Sequence, residues 1–425
     1  MEGSVAFVGV NVIPMTEGAS LLRAQTVIVR GGRIAAIGRE SSTPVPRGAA
    51  RIDARDRYLL PGLVDAHVHL EYFDDPGVLS RFLASGVTTV RNMDGRPYIL
   101  EWKRRVALGT LLGPTIYTAG PILDGDPPLL DDNTVVRTAA DARAAVEAQH
   151  AAGYDFVKVY TNISREAYDE VIRAARARGL TVAGHVSRHV GFDSALASGQ
   201  HTIEHLAELD DAIEADDSPT RGRFHWSKLF LAMPADSARM RAVAKRLAAA
   251  GTWVVPTSVQ PDRALPPSDS LGPWLAFAEM MQVPAAMRDG WAERARQAAQ
   301  RMDAEDWSLV ERGRVNRRHM LAVLREARVN LAVGTDTPNP FVVPGASIHE
   351  ELANFIRAGF SPLDAIAAAT REPAQLLGAS DEFGTVEVGK RADLMLVDAN
   401  PLSDLAALRH PLGVMVRGRW LPMGR

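Results

Sequence analysis

The segment "PGLVDAHVHL", Pro61 to Leu70, sets two imidazoles, His67 and His69, one residue apart inside an otherwise apolar run. Residues two apart in a strand share a side, so His67 and His69 face the same way as Asp65, and Ala66 and Val68 face the other way. Four further residues that can bind metals or move protons stand at or near the ends of similar runs: Lys158 in "FVKVY", His185 in "LTVAGHV", His205 in "HTIEH" and Asp336 in "LAVGTD". Alternation turns Lys158, with Phe156 and Tyr160, away from the side that Val157 and Val159 cover. A buried amine is costly because desolvation lowers its pKa, so it is neutral, paired or chemically altered. A neutral amine can take up carbon dioxide to form a carbamate whose two oxygens can bridge two metal ions. The chain has no cysteine, which leaves nitrogen and oxygen donors for any metal. Four imidazoles, one lysine and one carboxylate suit two divalent ions of borderline softness, zinc first among them.

Three residues are candidates for touching a substrate. Tyr160 shares the inward face with Lys158 and is placed to donate to a developing oxyanion, with simple packing of the phenol an equal alternative. Arg91, in "TTVRNMDG", is a candidate clamp for a substrate carboxylate, and internal pairing with Asp94 is the simpler reading. His349, in "SIHEEL", is a candidate to approach the metal site, against ordinary contacts at a helix start. His201 shares parity with His205 but sits a strand length away, at about 3.3 Å per residue, and is read as structural. His150, His189, His225, His319 and His410 lack partner spacing and are read the same way.

The elements that must position these side chains are short apolar strands alternating with alanine-rich helical segments such as "AADARAAVEAQHAAG" and "EAYDEVIRAARARG". Candidate strands are "LVDAHVH", "VTTVRN", "TIYTAG", "FVKVYT", "LTVAGHV", "HTIEH", "TWVVPTS" and "VNLAVGTD", the number a closed parallel barrel needs. The candidate residues cluster toward the C-terminal strand ends, where barrel enzymes build their sites. Before residue 60 the texture is that of hairpins, including Gly31-Gly32 between two β-branched runs, and "GTVEVGKRADLMLVDANP" and "PLGVMVRGRW" return to it. The expectation is an α/β fold: a (β/α)8 TIM-like barrel over residues 60–383, with a small composite β-sandwich domain from residues 1–59 and 384–425. Two insertions, at about 206–250 and 261–318, are long enough to cover the catalytic face, and Trp274, Trp291 and Trp307 of the second are read as packing anchors.

The 425 residues carry a net charge of -3 and no basic block, which argues against nucleic acid and anionic membrane partners and for a small molecule. No apolar run reaches a membrane span and the first residues have no cleavable leader pattern, so a cytoplasmic protein is expected. A homo-oligomer is compatible with a barrel of this size.

Taken together, "PGLVDAHVHL", "VKVY", "GHV", "TIEH", "GTD" and the C-terminal "GTVEVGKRADL" resemble the amidohydrolase superfamily of metal-dependent hydrolases. Within it the chain is most similar to the imidazolonepropionase-related group that includes metal-dependent prolidases and aminoacyl-amino-acid hydrolases. The resemblance implies that His67 and His69 bind the more buried metal, that Lys158, carboxylated, bridges both, and that His185 and His205 hold the second. Asp336 would bind the first metal and face a hydroxide shared by the two ions. That hydroxide would attack an amide carbonyl of a dipeptide or N-acyl amino acid, with Asp336 as the catalytic base and then acid. The same centre could open a cyclic amide or cleave an ester or phosphoester, and a non-catalytic assembly protein on this fold is the remaining alternative.

Overall fold

The computed structural model describes residues 3–18, 21–222, 225–265 and 271–424. Parts of both expected insertions, residues 223–224 and 266–270, lie outside the described residues. The N-terminal strands are β1 (Val5–Val12), β2 (Leu22–Arg30), β3 (Arg33–Arg39), β4 (Ala50–Asp53) and β5 (Tyr58–Pro61). Next come β6 (Leu63–Val68), β7 (Val87–Asn92) and β8 (Thr115–Thr118), then the short β9 (Leu123–Asp124) and β10 (Thr134–Val135). β11 (Phe156–Val159), β12 (Thr181–Gly184), β13 (Thr202–Glu204) and β14 (Trp253–Val255) follow. The chain closes with β15 (Leu394–Val397), β16 (Gly413–Val416) and β17 (Arg419–Pro422).

Both chain ends meet in one eight-stranded sheet, ordered β17-β16-β15-β5-β1-β2-β3 with β4 also paired to β1. The hairpin read from Gly31-Gly32 is present, both glycines having positive φ and Arg30 pairing with Arg33. The pairings make one branched sheet; β1 carries β2 on one edge and, on the other, β4 along its first half and β5 along its second.

All pairing among β6–β8 and β9–β14 is parallel. Single parallel bridges extend these ladders: Ala119 with Phe156, Val254 with Leu331, and Val68 with Thr337. The succession β6, β7, β8, β11, β12, β13, β14 and the segment 331–337 thus follows the expected strand order and returns to β6. The eighth member is joined by bridges and by bonds such as Ala66 N to Val333 O, 2.9 Å, and Asp336 N to His67 O, 2.8 Å. β9 and β10 were not read from the sequence; they add to β11 as a two-strand edge.

Alternation holds where it was argued. Val157 and Val159 pack with Ala142 and Val146 of the helix Ala139–Ala152 and with Ala167 and Val171 of the helix Arg165–Ala177. Phe156 lies on the other face with Met93, Ala119 and Ala183, and Lys158, also on that face, is 1% exposed. The flanking helices have local starts and stops: Thr138 and Asp141 form a capping box, Ser164 accepts from Ala167 N, and Gly153 ends the first helix in the left-handed region. Among the described residues no helix is long and apolar enough to cross a membrane.

Gly184 ends β12 immediately before His185, with φ of +140°, and a Cβ there would stand 2.0 Å from Val159 O. Gly184→Ala therefore meets both backbone strain and a clash with β11. It is expected to cost about 2 kcal/mol or more, read by chemical denaturation; an unchanged unfolding midpoint contradicts this account of the strand pair.

Candidate metal centre

Four imidazoles converge at the C-terminal ends of the parallel strands, and each has its Nδ1 beside a polar side chain. His67 Nδ1 is 2.7 Å from Glu204 Oε2, and His69 Nδ1 is 2.5 Å from Glu71 Oε1. His185 Nδ1 is 3.0 Å from both Glu208 Oε1 and Thr161 Oγ1, and His205 Nδ1 is 2.6 Å from Thr257 Oγ1. A carboxylate or hydroxyl on Nδ1 fixes ring orientation and favours a tautomer with a free Nε2, the usual outer layer of a metal-binding histidine. His67 and His69 bring Nε2 to 3.3 and 3.2 Å from Asp336 Oδ1. The ring centres of His67 and His205 are 4.7 Å apart, and those of His185 and His205 5.0 Å apart. One donor atom each from His67, His205 and Asp336 lie within 4.8 Å of one another, a spacing a single ion can span.

Backbone strain helps to aim these groups. His205, Thr257 and Asp336 have φ of 67°, 45° and 61°, a region that residues other than glycine seldom occupy. Ile203 packs in the helix-facing core and Glu204 points inward, so simple alternation from Ile203 would send His205 toward the helices. The left-handed turn reverses it. His201, which shares parity with His205 in the sequence, is structural as expected, its Nε2 3.0 Å from Leu376 O.

The electrostatics call for a cation. Burial opposes ionisation of Asp336, but the charges of His67 and His205 and the closeness of the His67 and His69 rings outweigh it and hold the carboxyl well below its usual range. Burial, with His67, His185 and Lys158 close by, keeps His205 well below the ordinary imidazole value and so neutral, as a metal ligand must be. Burial alone would lower His69, yet Glu71 and Asp336 raise it to about 10: positive charge is favoured between those carboxylates, as a proton or as a metal. His67 Nε2 is buried and has no hydrogen-bond partner. An orphaned nitrogen beside a carboxylate and two further imidazoles fits a divalent ion. Lys158 is pushed down by burial, beyond what Glu204 and Asp336 restore.

Glu204 was missed in the sequence. Its Oε1 accepts from Arg91 Nη1 at 2.9 Å and from Thr202 Oγ1, and its Oε2 faces His67. Burial opposes its charge, and Arg91, His67 and Lys158 more than restore it, holding Glu204 well below the ordinary carboxyl range. The available signal was the "TIE" spacing, which puts Thr202 and Glu204 on one side of β13. Glu71, Glu208 and Thr257 were missed as well, since each reaches its histidine from a loop or strand end.

Two expectations are corrected. Arg91 is 2% exposed, with its donors taken by Glu204, by Thr202 Oγ1 at 2.9 Å and by Ala66 O at 3.2 Å, so it is no substrate clamp. Nor does it pair with Asp94, which binds Arg96 at 2.7 Å. His349 lies on the helix Ile348–Arg357 beside Leu405 and Arg409, away from the metal-centre residues; burial, with Arg409 and His410 adding to it, lowers its pKa to about 3. Tyr160 does stand at the site, its ring centre 4.1 Å from that of His185. Both border a cavity of about 510 Å³ with apolar walls at Leu129, Val186 and Leu229 and charged groups at Arg188 and Asp210. From the first insertion Ala207, Glu208, Asp211, Gly222 and Lys228 also line it. Of the second insertion, Trp274 and Trp291 pack against Phe341.

A family model described as the amidohydrolase family matches residues 58–421. Adenine deaminase 3 of Rhizobium meliloti (strain 1021) is 24% identical over 93% of this chain and 54% of its own, so the chain spans about half the length of that relative. Among solved structures, bottromycin amidohydrolase superposes with a TM-score of 0.76 at 26% identity, over 99% of this chain and 87% of the other. A Xaa-Pro dipeptidase with methionine bound in its active site superposes with a TM-score of 0.70 at 21% identity, over 99% of this chain and 100% of the other.

Glu204→Gln leaves Arg91 buried without its counter-charge and loosens the anchor of His67. Stability is expected to fall by about 3–5 kcal/mol, and affinity for a divalent metal by about 10–100-fold. Denaturation and competition with a chromogenic chelator measure the two effects; parental values for both contradict the assigned role.

Proposed function

The chain belongs to the amidohydrolase family, and from that premise we propose that it is a hydrolase of amide bonds in dipeptides or N-acyl amino acids, working with two divalent metal ions. The observation that carries the reading is the orphaned, buried Nε2 of His67, set beside Asp336 among imidazoles whose Nδ1 atoms are all engaged by polar side chains. His67, His69 and Asp336 would hold one ion, His185 and His205 the other, and Lys158, as a carbamate, both. Support for the carbamate is the burial of Lys158 and its depressed basicity, since only a neutral amine takes up carbon dioxide. Zinc is the first candidate for ligands of this kind.

When bound, such ions supply a water acidic enough to be nucleophilic near neutrality and polarise the carbonyl under attack. Everything else falls to side chains. Asp336, an anion over the whole working range of pH, accepts the proton of the attacking water and returns it to the leaving nitrogen. Tyr160, pushed up by burial and by the charge of Asp336, stays protonated and can donate to the carbonyl oxygen as charge develops there. The cavity beside His185 takes the substrate side chain along Leu129, Val186 and Leu229.

The same proposal reads residues 60–383 as a closed (β/α)8 barrel and residues 1–59 with 384–425 as the accompanying β domain. The cyclic succession of parallel pairings and the sheet shared by both chain ends support it.

A panel of dipeptides and N-acyl amino acids, scored by released amino acid, tests the activity; turnover confined to lactams, esters or phosphotriesters contradicts the choice of substrate. Asp336→Asn should lower kcat by about 10³-fold with folding retained, measured by steady-state kinetics. Lys158→Ala should lose metal as well as activity, measured by elemental analysis; full metal content in that variant removes the carbamate from the account.

A further inference from the structure

We infer that a cavity between the helices Val259–Ala264, Ala304–Glu326 and Ile348–Arg357 binds a small polyanion bearing two or more phosphate or carboxylate groups. It encloses about 510 Å³, and none of its lining residues belongs to the metal centre. Six guanidinium groups border it: Arg263, Arg314, Arg317, Arg318, Arg357 and Arg409. Among the described residues only two carboxylates do so, Asp262 and Glu350.

Those carboxylates are already engaged, Asp262 with Arg317 and Glu350 with Arg263, and Glu311 pairs Arg314 from outside the cavity. Among the described residues Arg318, Arg357 and Arg409 form no ion pair; Arg357 donates only to Asn354 Oδ1, at 2.5 Å. Three positive charges are therefore left facing one concavity. Arg317 adds an independent sign of a missing partner: it is 4% exposed, and its Nε is buried with no acceptor.

The geometry favours a multivalent anion over a single one. The arginines come from three helices and from the end of the turn Leu405–Arg409, so they surround the cavity rather than stack along one face. Guanidinium forks engage phosphate and carboxylate in pairs of parallel bonds, and each anionic group can use two such forks. Arg263 is held in place by stacking 4.5 Å over the ring of Trp274. Mutual repulsion among the unmatched cations weakens the ligand-free protein, so binding should stabilise it.

Isothermal titration at constant ionic strength tests the inference, using fructose 1,6-bisphosphate, benzene-1,3,5-tricarboxylate and inorganic phosphate on the metal-loaded protein. The expected result is one polyanion per chain, bound at least about tenfold more tightly than inorganic phosphate; which polyanion binds better tells phosphate from carboxylate recognition. The double variant Arg318→Gln/Arg409→Gln, at two exposed positions, should weaken that binding about tenfold or more and leave metal content and basal hydrolysis unchanged. Arg357→Gln, also exposed, serves if the double variant folds poorly. The inference is overturned if neither polyanion outbinds inorganic phosphate, if sodium chloride alone reproduces the response, or if the variants bind as the parent does.

Discussion

One buried carboxylate organises the centre of this molecule. Glu204 sits with no exposure between Arg91 of β7 and His67 of β6, and Thr202 of its own strand completes its partners. Three strands are thereby joined through one charged group that has no access to water. A carboxylate in that position is tolerable only while every partner stays, because the desolvation penalty returns in full when one leaves. The register of β6, β7 and β13, and with it the aim of His67, rests on that network.

The same pattern repeats at lower cost around the site. Glu71 holds the Nδ1 of His69, Glu208 and Thr161 together hold that of His185, and Thr257 holds that of His205. Positioning is thus divided between two layers: strands and tight turns deliver the rings, and polar groups behind them set their rotation. The left-handed backbone at His205, Thr257 and Asp336 is strain that the surrounding ladders must hold. Its effect is to bring side chains from consecutive strand ends to one point, which regular alternation would not do.

Much of this was legible in the sequence. The order of the parallel strands and the inward face of β11 with Lys158 followed from period-two alternation, and the placing of polar residues at strand ends pointed to His67, His69, His185, His205 and Asp336 as a group. What could not be read depended on inter-strand register. Arg91 looks like a mouth residue because "RNMDG" follows a strand, yet it spans the interior to reach Glu204. His349 looks like a site residue because it follows Asp336 closely in the chain, but the intervening loop carries it to the outer face of a helix packed against Leu405–Arg409. His205 reaches the site through a positive φ that no pattern of residue types announces.

Because the proposed function rests on these donors binding metal, anomalous diffraction from crystals grown with zinc is the most direct test. Two peaks about 3.5–4 Å apart are expected, one against His67, His69 and Asp336, the other against His185 and His205, with density for a carbamate on Lys158 Nζ between them. No peak at these residues, or a single ion with Lys158 unmodified and turned away, would contradict the two-ion account.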